Sequence, residues 1–338
     1  MTRVTYTDIA TAAGVSRAAV SYALTGRPGV GESTRAAILE VAHQLGWEPR
    51  ETARLGAARR SGSVGLVIQR PARLLALEPY YMEFISGIAE VLSPLSMSLV
   101  FQTVSSVEER LETYRTWAAA GKVAGVICTD LVKDDPALPV LKTLRLPAVV
   151  TTPCDDAASV WTDIPAAMHK VVRYLAGLGH VRIARVAGGG EYTHLKDRSV
   201  AFESEIAALG LAKPIVVTTD YSPEQGMSAT RVLLSTVPRP TAIIYDNDVM
   251  AAAGLGMAIE MGLKVPQELS LVAWDDSLVT RLTYPPLTSV AYDIATFGAA
   301  VVRCLLDLID GLVVTSTSLG EPHLTVRGTT GPLQLPGR

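Results

Sequence analysis

The N-terminal part of the chain contains the segment Asp8-Ile-Ala10-Thr-Ala-Ala-Gly14-Val-Ser16-Arg-Ala-Ala-Val20-Ser-Tyr-Ala-Leu24, from which its fold can be predicted. Ala10, Gly14 and Val20 have the spacing of a helix-turn-helix, in which a small residue lets two helices cross closely, a glycine takes the turn and a branched residue seats the second helix. Ser16 is the expected N-cap of the second helix, because its hydroxyl can accept a hydrogen bond from an amide two or three residues on. The pattern therefore predicts two short helices joined by a tight turn.

Helical periodicity divides the second helix into two faces. Arg17, Ala18 and Tyr22 are predicted to face outward, whereas Val20 and Leu24 are predicted to face inward. An exposed face of this kind suits a DNA groove. The alternative is an ordinary helical pair in the core of a larger domain.

One further helix is predicted to complete this N-terminal unit. Residues 5–13 form the first helix, and a turn-rich break at 25–29 separates the second helix from a third at 34–45. The third helix carries apolar side chains at helical spacing, namely Ile38, Leu39, Val41, Ala42 and Leu45. We expect it to close a small core over the first two helices.

The charge of the chain is distributed unevenly. The formal net charge is only −3 over 338 residues, but residues 1–62 hold eight arginines, no lysine and five acidic residues. That segment therefore carries +3 and the remainder −6. A basic module joined to an acidic body is expected if only the first part meets phosphates.

The length of 338 residues exceeds that of a domain with a single hydrophobic core, so two or three domains are expected.

The cysteines and the first residues bear on the cellular compartment. Cys128, Cys154 and Cys304 are too few and too scattered for a disulfide framework. No basic-then-apolar leader precedes the helix-turn-helix, and no uninterrupted apolar run approaches the roughly 18 residues of a membrane span. We therefore expect a cytoplasmic protein that has no membrane partner.

From residue 64 the pattern changes to short β-branched runs that alternate with amphipathic helices. Strands are predicted at 64–68, 98–102, 123–128 and 148–151, with helices at 80–92, 107–120 and 137–144. A second series has strands near 183–186, 215–218, 242–245 and 270–274, with helices at 166–178, 198–209, 224–235 and 249–261. Apolar strands that alternate with helices indicate parallel sheets covered on both faces. The two series predict two α/β lobes with a cleft between them.

Motifs along the whole chain carry a family resemblance. The N-terminal motifs are Thr-Asp-Ile-Ala at 7–10, Ala-Gly-Val-Ser at 13–16, Arg-Pro-Gly-Val at 27–30 and Leu-Gly-Trp at 45–47. The later motifs are Leu-Gly-His at 178–180, Pro-Thr-Ala-Ile at 240–243, Trp-Asp-Asp-Ser at 274–277 and Pro-Pro-Leu-Thr at 285–288. By these motifs the chain resembles the LacI/GalR (lactose/galactose-repressor) family of bacterial transcription regulators.

The resemblance implies the architecture of a ligand-controlled repressor. It implies an all-α helix-turn-helix headpiece at 1–48, a hinge helix and linker at 49–62, and a two-lobed α/β effector domain like the type I periplasmic binding proteins. The N-terminal lobe would hold 63–161 and 291–319, including a helix at 294–310, and the C-terminal lobe 162–290 and 320–338. The resemblance also implies a homodimer on a pseudo-palindromic operator. A small-molecule effector between the lobes, a sugar or related metabolite, would control the affinity for the operator.

Within the headpiece, the resemblance places base contacts at the start of the second helix. Arg17 can reach guanine bidentately and Ala18 offers a methyl contact, while Tyr22 lies one turn later and departs from the commoner arginine or histidine. The alternative role for Arg17 is a phosphate anchor. The residues predicted to bind DNA are Thr7, Ser16, Arg17, Ala18, Ser21, Tyr22, Arg27, Arg54 and Leu55.

The hinge departs from the family pattern at one position. The leucine that family members insert into the minor groove aligns with Gly56, and Leu55 stands one place earlier. Because a wedge needs a bulky apolar side chain, either Leu55 takes that role from a shifted register or the DNA kink is weaker. Residues 49–58 are too short for a stable isolated helix, so the segment is either a helix held against DNA or a flexible basic linker.

The resemblance also points to an effector pocket. Its polar candidates are an arginine, an amide and a carboxylate that match sugar hydroxyls, and its aromatic candidate matches the apolar face of a sugar ring. We expect them at or just beyond strand or loop ends, where open α/β sheets bind ligands. The alternatives are a helix cap for the carboxylate and a surface ion pair for the arginine. The candidates are Arg198, Asn247, Asp275 and Tyr221, with Glu78 and Tyr80 as weaker ones.

The sequence contains no recognisable catalytic or metal-binding motif. The five histidines lack metal-ligand spacing, no Gly-x-Ser-x-Gly elbow occurs, and Gly-Gly-Gly at 188–190 lacks the spacing of a phosphate-binding loop. We therefore expect no enzymatic activity, no cofactor and no metal. A rival function is that of a solute- or sugar-binding protein without a regulatory role, and the N-terminal helices argue against it.

Overall fold

The computed structural model describes residues 4–24, 30–45, 62–75 and 77–334. The chain begins with three helices, α1 (Tyr6–Ala13), α2 (Arg17–Leu24) and α3 (Glu32–Gln44). Ile9, Val20 and Ile38, one from each helix, are completely buried against one another in a small core. The three predicted helices are therefore confirmed.

Local contacts set the turn between α1 and α2 as the sequence predicted. Gly14 takes the left-handed conformation at φ 65°, which favours glycine. The Ser16 hydroxyl accepts a hydrogen bond from the amide of Ala19 at 3.1 Å and so caps α2.

The core prediction was wrong for Leu39 and Leu45, which are 46% and 39% exposed, because three short helices bury only one narrow stripe of α3.

The N-terminal lobe is a six-stranded parallel sheet with helices on both faces, in strand order β11-β5-β4-β3-β1-β2. Its elements are β1 (Ser63–Ile68), α4 (Ala72–Leu75), α5 (Pro79–Leu92), β2 (Ser98–Thr103), α6 (Val107–Ala120), β3 (Val126–Cys128), α7 (Ala137–Leu144), β4 (Ala148–Val150), β5 (Ala158–Trp161), α13 (Ile294–Ile309) and β11 (Thr317–Ser318).

The C-terminal lobe repeats this plan, with strand order β12-β10-β9-β8-β6-β7. Its elements are α8 (Ile164–Gly177), β6 (Ile183–Gly188), α9 (Thr193–Ala208), β7 (Ile215–Thr219), α10 (Pro223–Leu234), β8 (Ala242–Tyr245), α11 (Asp248–Glu260), β9 (Ser270–Trp274), α12 (Leu278–Leu282), β10 (Thr288–Ala291) and β12 (His323–Thr325). All its strand pairs are parallel except β10 with β12.

The chain passes between the two sheets three times, after β5, after β10 and after β11. The second passage brings α13 back onto the N-terminal lobe, where it packs closely against α5. A Cβ atom on Gly87 of α5 would lie 1.8 Å from the carbonyl oxygen of Ala295, so only glycine permits this approach of the two backbones.

Several elements escaped the sequence pattern or began elsewhere. Strands β5, β10, β11 and β12 and helices α4 and α12 were not predicted, because each is only two to five residues long. The predicted strand at 123–128 begins at Val126, and the helix predicted at 198–209 begins at Thr193. The first turns of that helix are polar and lack apolar periodicity. The sequence pattern therefore predicted its start five residues too late.

Candidate functional site

A cavity lies between the two lobes at the carboxyl ends of their parallel strands. Its walls include Tyr80, Arg198, Tyr221, Asn247 and Asp275, so the structure brings all five predicted effector residues to one place. Glu78, the weaker candidate, lines the same cavity. Both sheets contribute because each presents its strand ends to the cleft.

Arg198 lies in the interior of α9, so its predicted position at a loop end was wrong. The side chain is buried, and its guanidinium carbon lies 3.9 Å from the centre of the Trp274 ring. Nη1 donates to the carbonyl oxygen of Asp246 at 3.2 Å and lies 3.3 Å from its carboxylate. Nε has no hydrogen-bond partner among the described residues. Arg198 is thus not a surface ion pair but a fixed cation beside the cavity.

A buried ion pair beneath the cavity holds Arg198 in place. Asp246 accepts hydrogen bonds from Arg185 Nε at 2.8 Å and Nη2 at 2.7 Å, and from the Gly188 amide at 3.0 Å. Burial opposes ionisation of Asp246, but the two arginines outweigh it and lower the pKa of this carboxyl to about 2. Sequence reasoning missed this pair, although an arginine inside the apolar strand β6 was a usable signal.

Asn247 and Tyr221 depend on one another. Asn247 Oδ1 caps α11 by accepting from the Met250 amide at 2.8 Å, while Nδ2 donates to the Tyr221 carbonyl at 3.2 Å. Tyr221 has φ 70°, and its ring packs so closely on Gly188 that a Cβ there would overlap it. Asn247 therefore fixes the loop that carries Tyr221.

The ring of Tyr221, the predicted stacking face for a sugar, is buried and stacked on an arginine in this structure. The guanidinium carbon of Arg70 lies 4.6 Å from the ring centre, so an arginine of the other lobe already covers that ring. Arg70 Nε also donates to the Tyr81 hydroxyl at 2.8 Å, and that hydroxyl donates to Asp130 at 2.8 Å. Sequence reasoning missed Arg70, Tyr81 and Asp130, which lie far apart along the chain.

The N-terminal lobe presents further polar groups to the cavity. Glu78 Oε1 and Thr129 Oγ1 are buried and find no hydrogen-bond partner within the described part of the chain. Burial and nearby carboxylates raise the pKa of Glu78 to about 7, although Arg70 opposes that rise. Tyr80 and Tyr292 line the same cavity, and burial raises the pKa of both hydroxyls.

Asp275 follows β9 directly and has a left-handed backbone at φ 68°. Burial and the carboxylate of Asp248 raise the pKa of Asp275 well above its usual value, while Arg198 acts in the opposite direction. The helix-cap alternative does not apply to this carboxylate, because α11 is capped by Asn247 and α12 by Ser277.

The lobes also touch each other away from the three chain crossings. The Tyr192 hydroxyl of the C-terminal lobe donates to the Gln69 carbonyl at 3.1 Å, and the Thr193 amide donates to the Leu131 carbonyl at 2.8 Å. Together with the stacking of Arg70 on Tyr221, these contacts hold the lobes together around the cavity.

The second candidate surface is the outer face of the headpiece. Arg17, Ala18 and Tyr22 are exposed on α2, as predicted from helical periodicity. Thr7 is exposed on α1, Ser16 is exposed just before α2, and Ser21 is half-buried within α2. The predictions for Arg27, Arg54 and Leu55, and the choice between Leu55 and Gly56 as a wedge, fall outside the described residues.

Among residues 4–24, 30–45, 62–75 and 77–334, no group of three or more histidine, cysteine, aspartate or glutamate side chains is arranged to hold a metal ion. No helix in those same segments is long and apolar enough to cross a membrane.

Comparison with known proteins likewise separates a helical N-terminal part from the α/β part of the chain. Residues 5–50 match the family model "Bacterial regulatory proteins, lacI family", and residues 172–330 match "Periplasmic binding protein-like domain". The chain is 30% identical over 335 residues to the HTH-type transcriptional regulator CelR of Thermobifida fusca, covering 96% of this chain and 98% of that protein.

Solved structures are similar along nearly the whole chain. A complex of the transcriptional regulator CelR with cellobiose has a TM-score of 0.73 and 28% identity, covering 97% of this chain and 100% of that one. The lac repressor dimer bound to operator and an anti-inducer also has a TM-score of 0.73, with 26% identity, covering 98% and 100%.

These similarities exclude the solute-binding alternative, because the matched headpiece belongs to DNA-binding regulators. The fold consists of that helical headpiece and two parallel-sheet lobes of the periplasmic-binding type. The chain belongs to the LacI family of bacterial regulatory proteins, DNA-binding transcription regulators whose activity is controlled by an effector.

Proposed function

We propose that this regulator represses transcription in the cytoplasm as a homodimer on a pseudo-palindromic operator, and that a carbohydrate bound between its lobes controls the affinity for that operator. The observation that carries the proposal is the cavity between the lobes, whose polar walls come from both sheets. A ligand that contacts both walls changes the angle between the two lobes. The headpiece precedes the N-terminal lobe in the chain, so such a change can reach it through the segment that joins them.

The chemistry of the cavity favours a hydroxyl-rich ligand. Arg198 offers a fixed donor and Asp275 an acceptor, and aromatic side chains such as Tyr80 and Phe297 offer apolar contact area. Pairs of donors and acceptors beside flat apolar surfaces are what sugar rings require. The similar CelR protein, whose structure was solved with cellobiose, supports a carbohydrate for this chain as well.

Exposed apolar side chains support a homodimer. Met82 on α5, Leu278 and Leu282 on α12, and Tyr284 after it are 64%, 60%, 74% and 92% exposed. Burial and the carboxylate of Asp248 raise the pKa of Glu83 on α5, and the positive charge of Arg281 on α12 opposes that rise, so the two helices lie near each other across the cleft. Large apolar side chains exposed on both lobes are typical of a surface that binds another protein. The similar lac repressor was solved as a dimer.

A dimer that joins both lobes couples the cavity to DNA. When the effector changes the angle between the lobes, the N-terminal lobes of the two protomers move relative to each other, and with them the two headpieces. A coupling free energy of about 1–3 kcal/mol between the two sites changes the affinity for DNA about 5- to 150-fold. Such a change is sufficient for regulation.

The function can be tested by selecting a duplex from a random library with the full-length protein. Fluorescence anisotropy then compares the selected duplex with a scrambled duplex of equal length, with and without cellobiose, maltose, glucose or galactose. We expect sequence-specific binding that at least one of these sugars changes more than fivefold. Equal affinity for both duplexes would refute specific DNA binding. Unchanged affinity with every sugar would refute control by a carbohydrate.

The dimer can be tested separately by sedimentation velocity. Replacing Leu278 and Leu282 by aspartate places charges in the apolar patch, and we expect the variant to sediment as a monomer. Val237 is 97% exposed, and Val237→Asp is the matched control that leaves the dimer intact. A dimer that survives both aspartates would show that another surface joins the protomers.

A further inference from the structure

Arg70 belongs to the N-terminal lobe, but its side chain reaches the C-terminal lobe. Its guanidinium carbon lies 4.6 Å from the ring centre of Tyr221 and 5.5 Å from that of Tyr192, and both rings belong to the other lobe. A guanidinium within about 6 Å of an aromatic ring is attracted to it, and more strongly where water is excluded. Arg70 is buried, so water is largely excluded from these contacts. We name the contacts of Arg70 with Tyr192 and Tyr221 the latch.

The N-terminal lobe holds Arg70 in position for the latch. Nε donates to the Tyr81 hydroxyl at 2.8 Å, and that hydroxyl donates to Asp130 at 2.8 Å. The same nitrogen lies 3.7 Å from the Asp130 carboxylate and 3.9 Å from that of Glu78. Arg70 is therefore oriented and paired with charges of its own lobe, so its contact with the other lobe needs little further ordering of the side chain.

Polar contacts accompany the latch along the same edge of the cleft. The Tyr192 hydroxyl donates to the Gln69 carbonyl at 3.1 Å, and the Thr193 amide donates to the Leu131 carbonyl at 2.8 Å. Val132 and Tyr192 form an isolated antiparallel bridge between the lobes. All of these contacts are made by the chain itself, so they do not depend on a ligand.

The latch lies far from the three chain crossings. The crossings follow β5 and β11 in the N-terminal sheet, whereas Arg70 follows β1, three strands away from β5. The remaining crossing follows β10 in the C-terminal sheet, whereas residues 192 and 221 follow β6 and β7 at the other edge of that sheet. Because strands are spaced by about 4.8 Å, three strands amount to about 14 Å, and a hinge rotation of about 20° would separate the latch by about 5 Å.

We propose that Arg70 is a positioning residue, which holds the lobes closed along the edge of the cleft away from the crossings and so sets the separation of the cavity walls before a ligand binds. The cavity lies between the latch and the crossings, because its walls include Arg70 and Tyr221 as well as Thr162 and Tyr292 from the crossing segments. A ligand that contacts Arg70 therefore acts on the latch and shifts the angle between the lobes. The consequence for DNA rests on the function proposed above, in which that angle controls the headpieces.

The separation of the lobes can be measured by pulsed electron spin resonance on the full-length protein without added ligand. Ala119→Cys on α6 and Ser228→Cys on α10 provide exposed sites for spin labels on opposite lobes, and Cys154→Ser removes the native cysteine that is only partly buried. Labelled protein is mixed with an excess of unlabelled protein, so that a dimer carries one labelled protomer. We expect Arg70→Met to lengthen the distance between the labels by about 5 Å or more, because it removes the cation and its donor at similar length.

Further variants distinguish the latch from a general loss of stability. Tyr192→Ala removes a ring of the other lobe at a half-buried position and should lengthen the same distance. Arg70→Lys keeps a cation beside the rings and should lengthen the distance less than Arg70→Met does. Arg303→Met is the matched control, because Arg303 is an exposed arginine of the same lobe, and it should leave the distance unchanged. Circular dichroism establishes which variants are folded.

The outcomes separate this inference from the proposed function. If folded Arg70→Met and Tyr192→Ala both keep the distance of the unmodified protein, the latch is refuted and the proposed function stands; if Arg70→Met does not fold, Tyr192→Ala decides alone. If the distance lengthens and the affinity for the selected duplex changes more than about fivefold, the latch and its coupling to DNA are both supported. If the distance lengthens while that affinity stays the same, the latch stands and the proposed control of DNA binding by the angle between the lobes fails.

Discussion

The ion pair between Arg185 and Asp246 supports both the stability of the C-terminal lobe and the position of Arg198. Replacing Asp246 by asparagine keeps the shape of the side chain but leaves Arg185 buried without its counter-charge. The pKa of Asp246 is about 2, compared with 3.8 for an unperturbed aspartate. That difference alone corresponds to about 2 kcal/mol at neutral pH. Breaking a buried pair commonly costs about 3–5 kcal/mol, so we expect a loss of roughly 3 kcal/mol.

Thermal unfolding followed by circular dichroism measures this loss. For a unit of the size of the C-terminal lobe, a loss of about 3 kcal/mol corresponds to a fall in Tm of about 6–12 °C. Glu260→Gln is the matched control, because Glu260 lies 3.5 Å from Arg231 in a pair whose side chains are 65% and 60% exposed. Exposed pairs contribute little, and the control should change stability by less than about 1 kcal/mol.

The pH dependence gives an independent check of the same pair. Because the folded pKa of Asp246 is depressed, its contribution is fully present above pH 3.8 and is lost as the pH falls through about 2. The difference in Tm between the unmodified protein and Asp246→Asn should therefore be constant near neutrality and narrow below pH 4. A variant that melts within 1 °C of the unmodified protein at pH 7 would refute the reasoning.

Three further predictions concern the headpiece, the N-terminal lobe and acid sensitivity. Arg17→Ala should weaken binding to the selected duplex by about 1–3 kcal/mol and relax the preference at one base pair, whereas equal weakening on scrambled DNA would make Arg17 a phosphate contact. Gly87→Ala should destabilise the protein by at least about 1–3 kcal/mol in thermal melts, because its Cβ would overlap the Ala295 carbonyl. Gly177→Ala, at an exposed helical glycine with no neighbour within 4 Å in the described structure, should be neutral or stabilising by up to about 1 kcal/mol, and similar losses in both variants would contradict the packing argument. The pKa of His194 is lowered to about 4 mainly by burial, so stability should fall as the pH drops from 6.5 towards 4, and less so in His194→Gln; identical pH profiles would exclude this role.

The headpiece could be predicted in detail because its determinants are local. Gly14 takes its left-handed turn and Ser16 caps the next helix within three residues of where each stands. The burial of Val20 and the exposure of Arg17 follow from helical periodicity alone. Leu39 shows the limit of that periodicity, because an apolar residue is buried only where a neighbouring helix reaches it.

The cleft could be predicted only in part. Asn247 and Asp275 were predicted because the family resemblance points to them, and both lie just after buried parallel strands, which end at the same edge of a sheet. Arg70, Tyr81 and Asp130 were missed, although they form one hydrogen-bonded cluster with an arginine stacked on Tyr221. Tyr81 and Asp130 are 49 positions apart, and no local pattern links such residues.

Local sequence accounts for the helix-turn-helix, the alternation of strands and helices, and the strand ends that carry polar side chains, since propensity, capping and periodicity act over a few residues. Which of those side chains meet depends on the packing of the whole fold. It set Arg198 above Asp246, covered Tyr221 with Arg70 and left Glu78 buried without a donor in the described part of the chain. Local sequence cannot specify these contacts, because burial and electrostatic pairing depend on distances between elements, and those distances are set by how the two sheets and their crossing segments pack together.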